Sequence, residues 1–325
     1  MTTLHTLHGL VLWGISAALS YAMPRLTRPE LYFAVTVRAA FRARPEARSI
    51  LRGYHRRVVG YAALALIPIG LGAWRDQAAW YSVGTLALTL GSTHAFLVAR
   101  RAVAPFAVAP SSEREAGLAP RPGLPGGIIA QLGPFVLLAA TAARAAREPS
   151  PYGALAAAAL LCGALLVTAR CLAYQSPQIH AAGRAQRDER RFRRITLGVV
   201  LGAEYLTAGK ACGAALWPAH DTPDAVRAAI ELATLGLVLV TTIVATQLGQ
   251  GGGRHAPTSS AAPIGDRTRD AHWTWGVIYA NRDDPAVFVE KRFGIGYALN
   301  LGNPRAWGLV VLFLVAAGAS VLARR

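Results

Sequence analysis

Long apolar stretches alternate along this chain with short, strongly basic connections. Eight stretches are mostly apolar over about 20 residues, which is the length a helix needs to cross the hydrocarbon of a bilayer. Such continuous runs predict membrane-spanning helices, and the fourth is short, rich in alanine and interrupted by Pro134. The predicted spans are residues 4–23, 58–74, 78–99, 128–143, 151–174, 195–217, 228–248 and 307–322.

The pattern changes between the seventh and eighth spans. Residues 249–270 are rich in Gly, Ser, Ala and Pro, which is typical of a flexible linker. Aromatic and β-branched residues then return, and they favour short strands at residues 273–279, 287–289 and 293–297. Residues 281–285 separate the first two strands and have the composition of a turn, because Asn and Asp cap their own backbone and Pro fixes φ.

The first connection also has recognisable local signals. Residues 31–37 predict a strand or an interfacial segment, and residues 46–57 predict a basic helix that leads directly into the second span. Pro45 and Glu46 suit the first turn of that helix.

Together these patterns predict an all-α membrane protein with about eight transmembrane helices. A small cytoplasmic segment that contains a β-hairpin precedes the last helix. The predicted division is a seven-helix transmembrane bundle at residues 1–248, a flexible linker at 249–270, a small cytoplasmic aromatic and β motif at 271–306, and a final transmembrane helix at 307–325.

Charge assigns a side to each connection. Most of the 34 Lys and Arg residues lie in the connections 24–57, 100–127, 175–194 and 249–306, which alternation over eight spans places on one side. The positive-inside rule predicts that this side is the cytoplasm and that both termini lie outside. The basic residues predicted on the outer side are Arg75, Arg144, Arg147, Arg227, Arg324 and Arg325.

The formal charge of +17 would suggest nucleic acid in a soluble protein. Here it forms collars beside the spans, so the predicted partners are the bilayer and its anionic headgroups, with no nucleic acid. The three cysteines, Cys162, Cys171 and Cys212, fall in spans without metal-ligand spacing, which predicts apolar packing. The sequence indicates no cofactor, no metal and no catalytic constellation, so we expect a protein that is not an enzyme.

Four ionisable residues in the spans are candidates for function, because charge at depth in a membrane is costly. They are His94, Glu204, Lys210 and Glu231. Depth along the helices predicts a Lys210–Glu231 pair. Glu204 has His94 as its predicted partner, with Gln131, Tyr205 and Thr207 as alternatives. Two interpretations stay open: a structural polar clamp, or a proton or ion relay beside a polar cavity.

The C-terminal motif contains most of the remaining candidate residues. They are Trp275, Tyr279, Asn281, Asp283, Asp284, Pro285, Lys291, Arg292, Gly294, Gly296 and Asn300. The adjacent carboxylates of Asp283 and Asp284 are typical of turn capping, and Gly294 and Gly296 would allow a tight backbone turn against the membrane. Lys291 and Arg292 could hold an anionic headgroup or pair with nearby acids. The motif therefore predicts turn structure with membrane docking or, alternatively, recognition of a ligand or partner.

Residues 275–304 resemble the C-terminal motif of a group of bacterial polytopic membrane proteins that contain a domain of unknown function. Residues 23–37 are similar to the same group, in which a Phe-Gly-Val run follows a Leu-Thr-Arg turn; Ala34 replaces that glycine here. The group is distantly similar to immunity and signal-transducing membrane proteins of the SdpI type. The resemblance implies a multi-pass protein of the bacterial cytoplasmic membrane and identifies no catalytic residue.

These observations predict a non-enzymatic sensor or an immunity-type protein, whose partner would be a membrane-active peptide or a cytoplasmic regulator. The alternative is a small secondary transporter that uses Glu204, Lys210, Glu231 and His94. A membrane enzyme acting on lipid-linked substrates is the third class, but it would need a spaced His and Asp signature that the connections lack.

The predicted sidedness can be tested with single cysteines in a chain whose native cysteines are replaced. We expect R48C and R191C to resist a membrane-impermeant thiol reagent in sealed cells, because both lie in connections predicted to be cytoplasmic. R227C, on the predicted outer side, should react. Labelling of R48C or R191C from outside would contradict the topology.

Overall fold

The computed structural model describes residues 2–75, 77, 79–110, 123–145, 152–175, 183–217, 222–250, 266 and 268–323. Helix dominates these residues. The helices are α1 (Thr2–Leu26), α2 (Pro45–Arg75), α3 (Ala79–Val103), α4 (Gly127–Ala145), α5 (Tyr152–Tyr174), α6 (Gly183–Leu216), α7 (Asp224–Leu248) and α8 (Pro304–Leu322). The short strands are β1 (Leu31–Tyr32), β2 (Val35–Thr36), β3 (Trp273–Thr274), β4 (Ile278–Tyr279), β5 (Phe288–Glu290) and β6 (Tyr297–Leu299).

Six of the described helices are long and apolar enough to cross a membrane: α2, α3, α4, α5, α7 and α8. The predicted count of eight is therefore not confirmed. The helices at the first and sixth predicted spans, α1 and α6, are not among the six. Helix α6 begins with a charged segment and carries Glu204 and Lys210. The short fourth span is among the six, with Pro134 inside its helix.

The chain divides into two compact units. The first comprises Met1–Arg114, Ala245–Ile278 and Lys291–Gly296, and the second comprises Glu115–Val244, Tyr279–Glu290 and Tyr297–Arg325. The sequence motif before α8 thus contributes to both units. Most of the predicted linker at 249–270 lies outside the described residues.

In the first unit, α1, α2 and α3 pack together and the first connection folds against α2 and α3. Residues 31–37, for which a strand was one prediction, form a tight hairpin in which Leu31 pairs with Thr36 and Tyr32 with Val35. Its two turn residues, Phe33 and Ala34, have φ values of 47° and 61°. A two-residue hairpin turn requires positive φ at both positions, which explains why glycine suits the position of Ala34.

The predicted strand at residues 273–279 is instead two short strands, β3 and β4, that form a second hairpin in the same way. Trp275 and Gly276 are its turn residues, with φ values of 53° and 75°. A Cβ atom added to Gly276 would lie 2.6 Å from the Arg100 guanidinium and 2.7 Å from the Ala34 side chain. The turns of the two hairpins therefore touch, and the contact leaves no room for a side chain at position 276.

In the second unit, α5 packs against α4, α6 and α8, and α4 packs against α6. Strand β5 confirms a strand at the second predicted position, but it pairs antiparallel with β6, where Val289 faces Ala298. The predicted third strand at 293–297 is wrong, because glycines with φ values of 97° and 102° at Gly294 and Gly296 turn the chain there. Small β-hairpins before the last helix are confirmed.

Gly276→Ala should lower the free energy of unfolding by about 2–3 kcal/mol. A positive φ strains the backbone of an alanine, and the added methyl group would displace the Arg100 side chain. The measurement is chemical unfolding of the purified protein in detergent. Gly60→Ala is the matched control: Gly60 lies in α2 with open space around it. The control should be neutral or slightly stabilising, and equal effects of the two substitutions would contradict the contact between the hairpin turns.

Candidate functional site

A buried ionic network organises the non-helical part of the first unit around Arg292. The Arg292 side chain is fully buried. Its Nε donates to Asp266 Oδ2 at 2.8 Å and its Nη2 donates to Asp266 Oδ1 at 2.9 Å, so the carboxylate receives a two-pronged contact. Nη1 donates to Asp270 Oδ1, and Nη2 also donates to the Thr268 carbonyl oxygen. We call Asp266, Thr268, Asp270 and Arg292 the Arg292 cluster.

The carboxylates of Asp266 and Asp270 favour the charged form of Arg292. Burial alone lowers the pKa of Arg292, but Asp266 and Asp270 outweigh burial and raise it above the ordinary value of an arginine. The guanidinium is therefore a permanent cation held between two acids. A buried charge is tolerated only when it is paired and hydrogen-bonded in this way.

The Arg292 cluster reaches the first connection through Thr36 in β2. The Thr36 hydroxyl donates to Asp270 Oδ1 at 2.8 Å, across 234 positions of sequence. On the other side, Trp273 Nε1 donates to Thr268 Oγ1 at 2.8 Å, and the Arg292 guanidinium lies 5.2 Å from the centre of the Trp273 ring. Hairpin β1–β2 and the start of hairpin β3–β4 are thus fixed to the same cation.

Arg100, near the end of α3, forms a second polar contact in this region. Its Nη1 donates to the Ala34 carbonyl oxygen at 2.7 Å, in the turn of hairpin β1–β2. Arg100 is also the side chain that Gly276 leaves room for. Arg100 therefore hydrogen-bonds the turn of one hairpin and lies against the turn of the other.

Phe293 adds an apolar contact next to Arg292. Its ring stacks on Phe96 with centroids 4.2 Å apart and on Phe33 at 5.8 Å, and it meets the edge of Tyr54 at 6.4 Å. Aromatic pairs at these distances contribute beyond their buried area. The segment 291–296 is therefore held by an ionic contact and an aromatic contact at consecutive residues.

The two glycines of the segment make a closed turn. Lys291 N donates to the Gly296 carbonyl oxygen at 3.1 Å. The Gln250 side chain then pairs with the Gly296 backbone in both directions, at 2.8 and 3.0 Å. Burial lowers the pKa of Lys291, which is only partly exposed.

The rest of the motif belongs to the second unit and centres on Asn300. The fully buried Asn300 side chain donates to the carbonyl oxygens of Asn281, Asp284 and Ala286 at 2.9–3.0 Å. Its Oδ1 accepts from Asn281 N and Gly302 N. One amide therefore satisfies the backbone of the turn that the composition at 281–285 predicts, and Pro285 lies exposed within that turn.

The adjacent aspartates have separate positions in this turn. Asp284 is buried, accepts from the Tyr279 hydroxyl at 2.9 Å and caps the backbone N–H of Ala286 at 3.0 Å. Asp283 is exposed, and its own N–H donates to Asn281 Oδ1. These contacts are those of turn capping. Trp275, in the hairpin turn of the first unit, is 64% exposed.

The ionisable residues predicted in the spans are not brought into one site. Glu204 lies in the second unit and is fully buried, and neither of its carboxylate oxygens has a hydrogen-bond partner among the described residues. Lys210 is exposed, and the predicted Lys210–Glu231 ion pair is not formed in the described part of the chain. His94 lies in the first unit, where its Nδ1 is 2.8 Å from the Tyr61 hydroxyl.

Sequence reasoning found Arg292 but missed its partners. Asp266 and Asp270 fell within the predicted linker, and Thr36, which donates to Asp270, lies 234 positions away in the sequence. The cysteines at positions 162, 171 and 212 are free thiols. Within the described ranges, no group of three or more His, Cys, Asp or Glu side chains could hold a metal ion.

Residues 282–307 match the model of DUF5808, a family of unknown function. This supports the predicted domain of unknown function near the C-terminus, and the matched segment includes Arg292 and Asn300. No curated protein and no solved structure matches the chain.

Arg292→Met should lower the free energy of unfolding by about 3–5 kcal/mol, because it leaves the buried Asp266 carboxylate and the partly exposed Asp270 carboxylate without their cation. The free energy of unfolding of Arg292→Lys should lie between those of the wild type and Arg292→Met, since an ammonium group keeps the charge but cannot make the two-pronged contact. Denaturant unfolding in detergent measures both. The exposed Arg282→Met is the control and should change stability by less than about 0.5 kcal/mol. If R292M matches R282M, the cluster contributes nothing to stability.

Proposed function

We propose that this chain is an integral membrane protein that acts by binding, as a non-enzymatic sensor or immunity-type protein. The observation that carries the proposal is the Arg292 cluster, which joins two hairpins distant in sequence into one preorganised surface of the first unit. A buried ion pair contributes little net stability relative to apolar packing of the same volume. Its use here is to fix geometry, and fixed geometry is what recognition of a partner requires.

The surface next to this network is basic. The first connection and the start of α2 expose a series of arginine side chains, while the hydrophobic residues of the connection are buried. The exposed arginines are Arg38, Arg44, Arg48, Arg52, Arg56 and Arg57. Exposed guanidinium groups attract anionic headgroups and acidic partners at short range. The proposed partners are accordingly the headgroups and a membrane-active peptide or a cytoplasmic regulator.

The local turn chemistry of the motif supports binding over catalysis. The Asp284 carboxylate and the Asn300 amide are occupied by backbone N–H and carbonyl groups, and Asp283 contributes only its backbone N–H to the turn. Carboxylates that cap a turn are held away from the convergent arrangement a catalytic acid and base would need. The relation to SdpI-type immunity proteins and a location in the bacterial cytoplasmic membrane belong to the same proposal.

A small secondary transporter is the second candidate, and Glu204 is the observation in its favour. A fully buried acid whose oxygens have no described partner is expensive inside a membrane bundle. Residues of this kind mark proton and ion paths in transporters. The sensor proposal treats Glu204 as a structural residue of the second unit.

Complementation of a deletion strain separates the two candidates. Survival on a panel of membrane-active peptides, together with the transcript profile, defines the phenotype of the deletion. The sensor proposal predicts that R292M, expressed at the wild-type level in the membrane, fails to complement. E204Q and the control R282M should complement fully.

The reverse pattern, in which E204Q fails and R292M complements, would contradict sensing and support transport. Reconstituted vesicles loaded with a pH-sensitive dye add a direct measurement. The sensor proposal predicts proton leakage equal to that of protein-free vesicles. A protein-dependent flux that Glu204→Gln abolishes would identify a transporter.

A further inference from the structure

The first unit contains a cavity of about 300 Å³ between α1, α2 and α3. This volume is at the lower end of the range for ligand pockets. Residues from Leu88 to Phe96 of α3 form one wall, so the cavity extends about 12 Å along that helix at about 1.5 Å per residue. The stacked rings of Phe96 and Phe293 also line the cavity, and Phe293 follows Arg292 in the sequence.

Five serine and threonine side chains line this cavity, whose surface is otherwise mostly apolar. Ser16 and Ser20 of α1 face it together with Thr89, Ser92 and Thr93 of α3. The Ser16, Thr89 and Thr93 hydroxyls donate to carbonyl oxygens of their own helices, which leaves their oxygens as acceptors. The Ser92 hydroxyl is buried and, in the described part of the chain, has no hydrogen-bond partner. It is therefore available both to donate and to accept.

The remaining lining is apolar or aromatic and carries no formal charge. Met23, Leu88 and Val277 contribute aliphatic surface, and the Tyr54 ring forms part of the wall while its hydroxyl donates to the Ser20 carbonyl oxygen at 2.6 Å. A charged group placed here would lose its hydration without gaining an opposite charge. The lining therefore selects an uncharged molecule with an apolar body and a few oxygen atoms.

We propose that this cavity binds the glycerol-ester end of a neutral lipid of the diacylglycerol type. The free hydroxyl of the lipid would donate to the acceptor oxygens of Ser16, Thr89 or Thr93, an ester carbonyl oxygen would accept from Ser92, and the acyl chains would continue along the helices. The lining offers no cation to a phosphate, so the site disfavours phospholipid headgroups. This inference deepens the proposed binding function and rests on it, by naming the class of ligand.

The test is titration of the purified full chain in detergent with dioleoylglycerol, followed by native mass spectrometry. We expect saturable binding of one lipid per chain. Ser92→Leu fills the cavity and should weaken binding at least tenfold, and Ser92→Ala should weaken it about two- to tenfold through the loss of one hydrogen bond. Ser82→Leu makes the same change at an exposed position of α3 and should leave binding unchanged.

Dioleoylphosphatidylglycerol, with the same acyl chains, tests the exclusion of a phosphate. Its binding should be weaker and should not respond to S92L. Equal binding of dioleoylglycerol to wild type and both Ser92 variants would overturn the proposal, as would tighter binding of the phospholipid that S92L abolishes. If a short-chain monoacylglycerol binds more tightly than dioleoylglycerol, the ligand is a soluble amphiphile, and the proposal of a diacylglycerol-type lipid is wrong.

Failure of this site and failure of the sensing function give different results. Lipid binding is measured on purified protein, whereas sensing is measured by complementation. If dioleoylglycerol binds as expected but R292M complements fully, the pocket stands and sensing fails. If R292M fails to complement but S92L binds lipid like wild type, sensing stands and the pocket proposal is wrong.

Discussion

The contact between Arg292 and its two aspartates is the interaction on which the non-helical part of the first unit depends. The fully buried guanidinium must be satisfied by charge and hydrogen bonds, and Asp266, Asp270 and the Thr268 carbonyl oxygen supply them. Because Asp270 also accepts from Thr36, the same requirement positions hairpin β1–β2. An arginine fork has few geometries that satisfy it, so the ionic contact selects one arrangement of segments whose short strands could not hold it alone.

In the second unit, buried polar backbone groups are satisfied by a neutral side chain, the amide of Asn300. The turn at 281–285 and the residues before α8 bring several backbone groups into a buried region, where an unpaired N–H or carbonyl is costly. Asn300 satisfies three carbonyl oxygens and two N–H groups. Asn303 then caps α8 by accepting from Arg305 N. The family match at 282–307 covers Asn300 and this cap, together with Arg292.

Periodicity and length predicted the helices well, because about 20 continuous apolar residues have few alternatives in a bilayer. Helix α2 begins at Pro45, as the Pro-Glu signal indicates, and α4 forms despite Pro134. The count of eight spans depended on α1 and α6, which are not among the six described helices that qualify by length and composition. The charge-based sidedness uses that count, and it stays a prediction.

The candidate site was less predictable, for two physical reasons. A local sequence pattern predicts turns such as residues 281–285, but strand pairing depends on tertiary contacts that the pattern does not contain. Residues 293–297, predicted as a strand, form a loop because Gly294 and Gly296 have positive φ. Asp266 and Asp270, which bind Arg292, come from the predicted linker. Thr36, which binds Asp270, lies in a connection more than 200 residues earlier, so no sequence spacing indicates these contacts. Tertiary contacts of this kind overrule composition.

Hydrogen exchange of the backbone amides in residues 31–37 tests the central claim most directly. If Arg292 positions hairpin β1–β2 through Asp270 and Thr36, these amides should exchange at least tenfold faster in R292M than in wild type, while amides of α5 in the second unit keep their rates. Unchanged exchange at residues 31–37 in a folded R292M protein would show that the hairpin does not depend on the buried cation and would contradict the account.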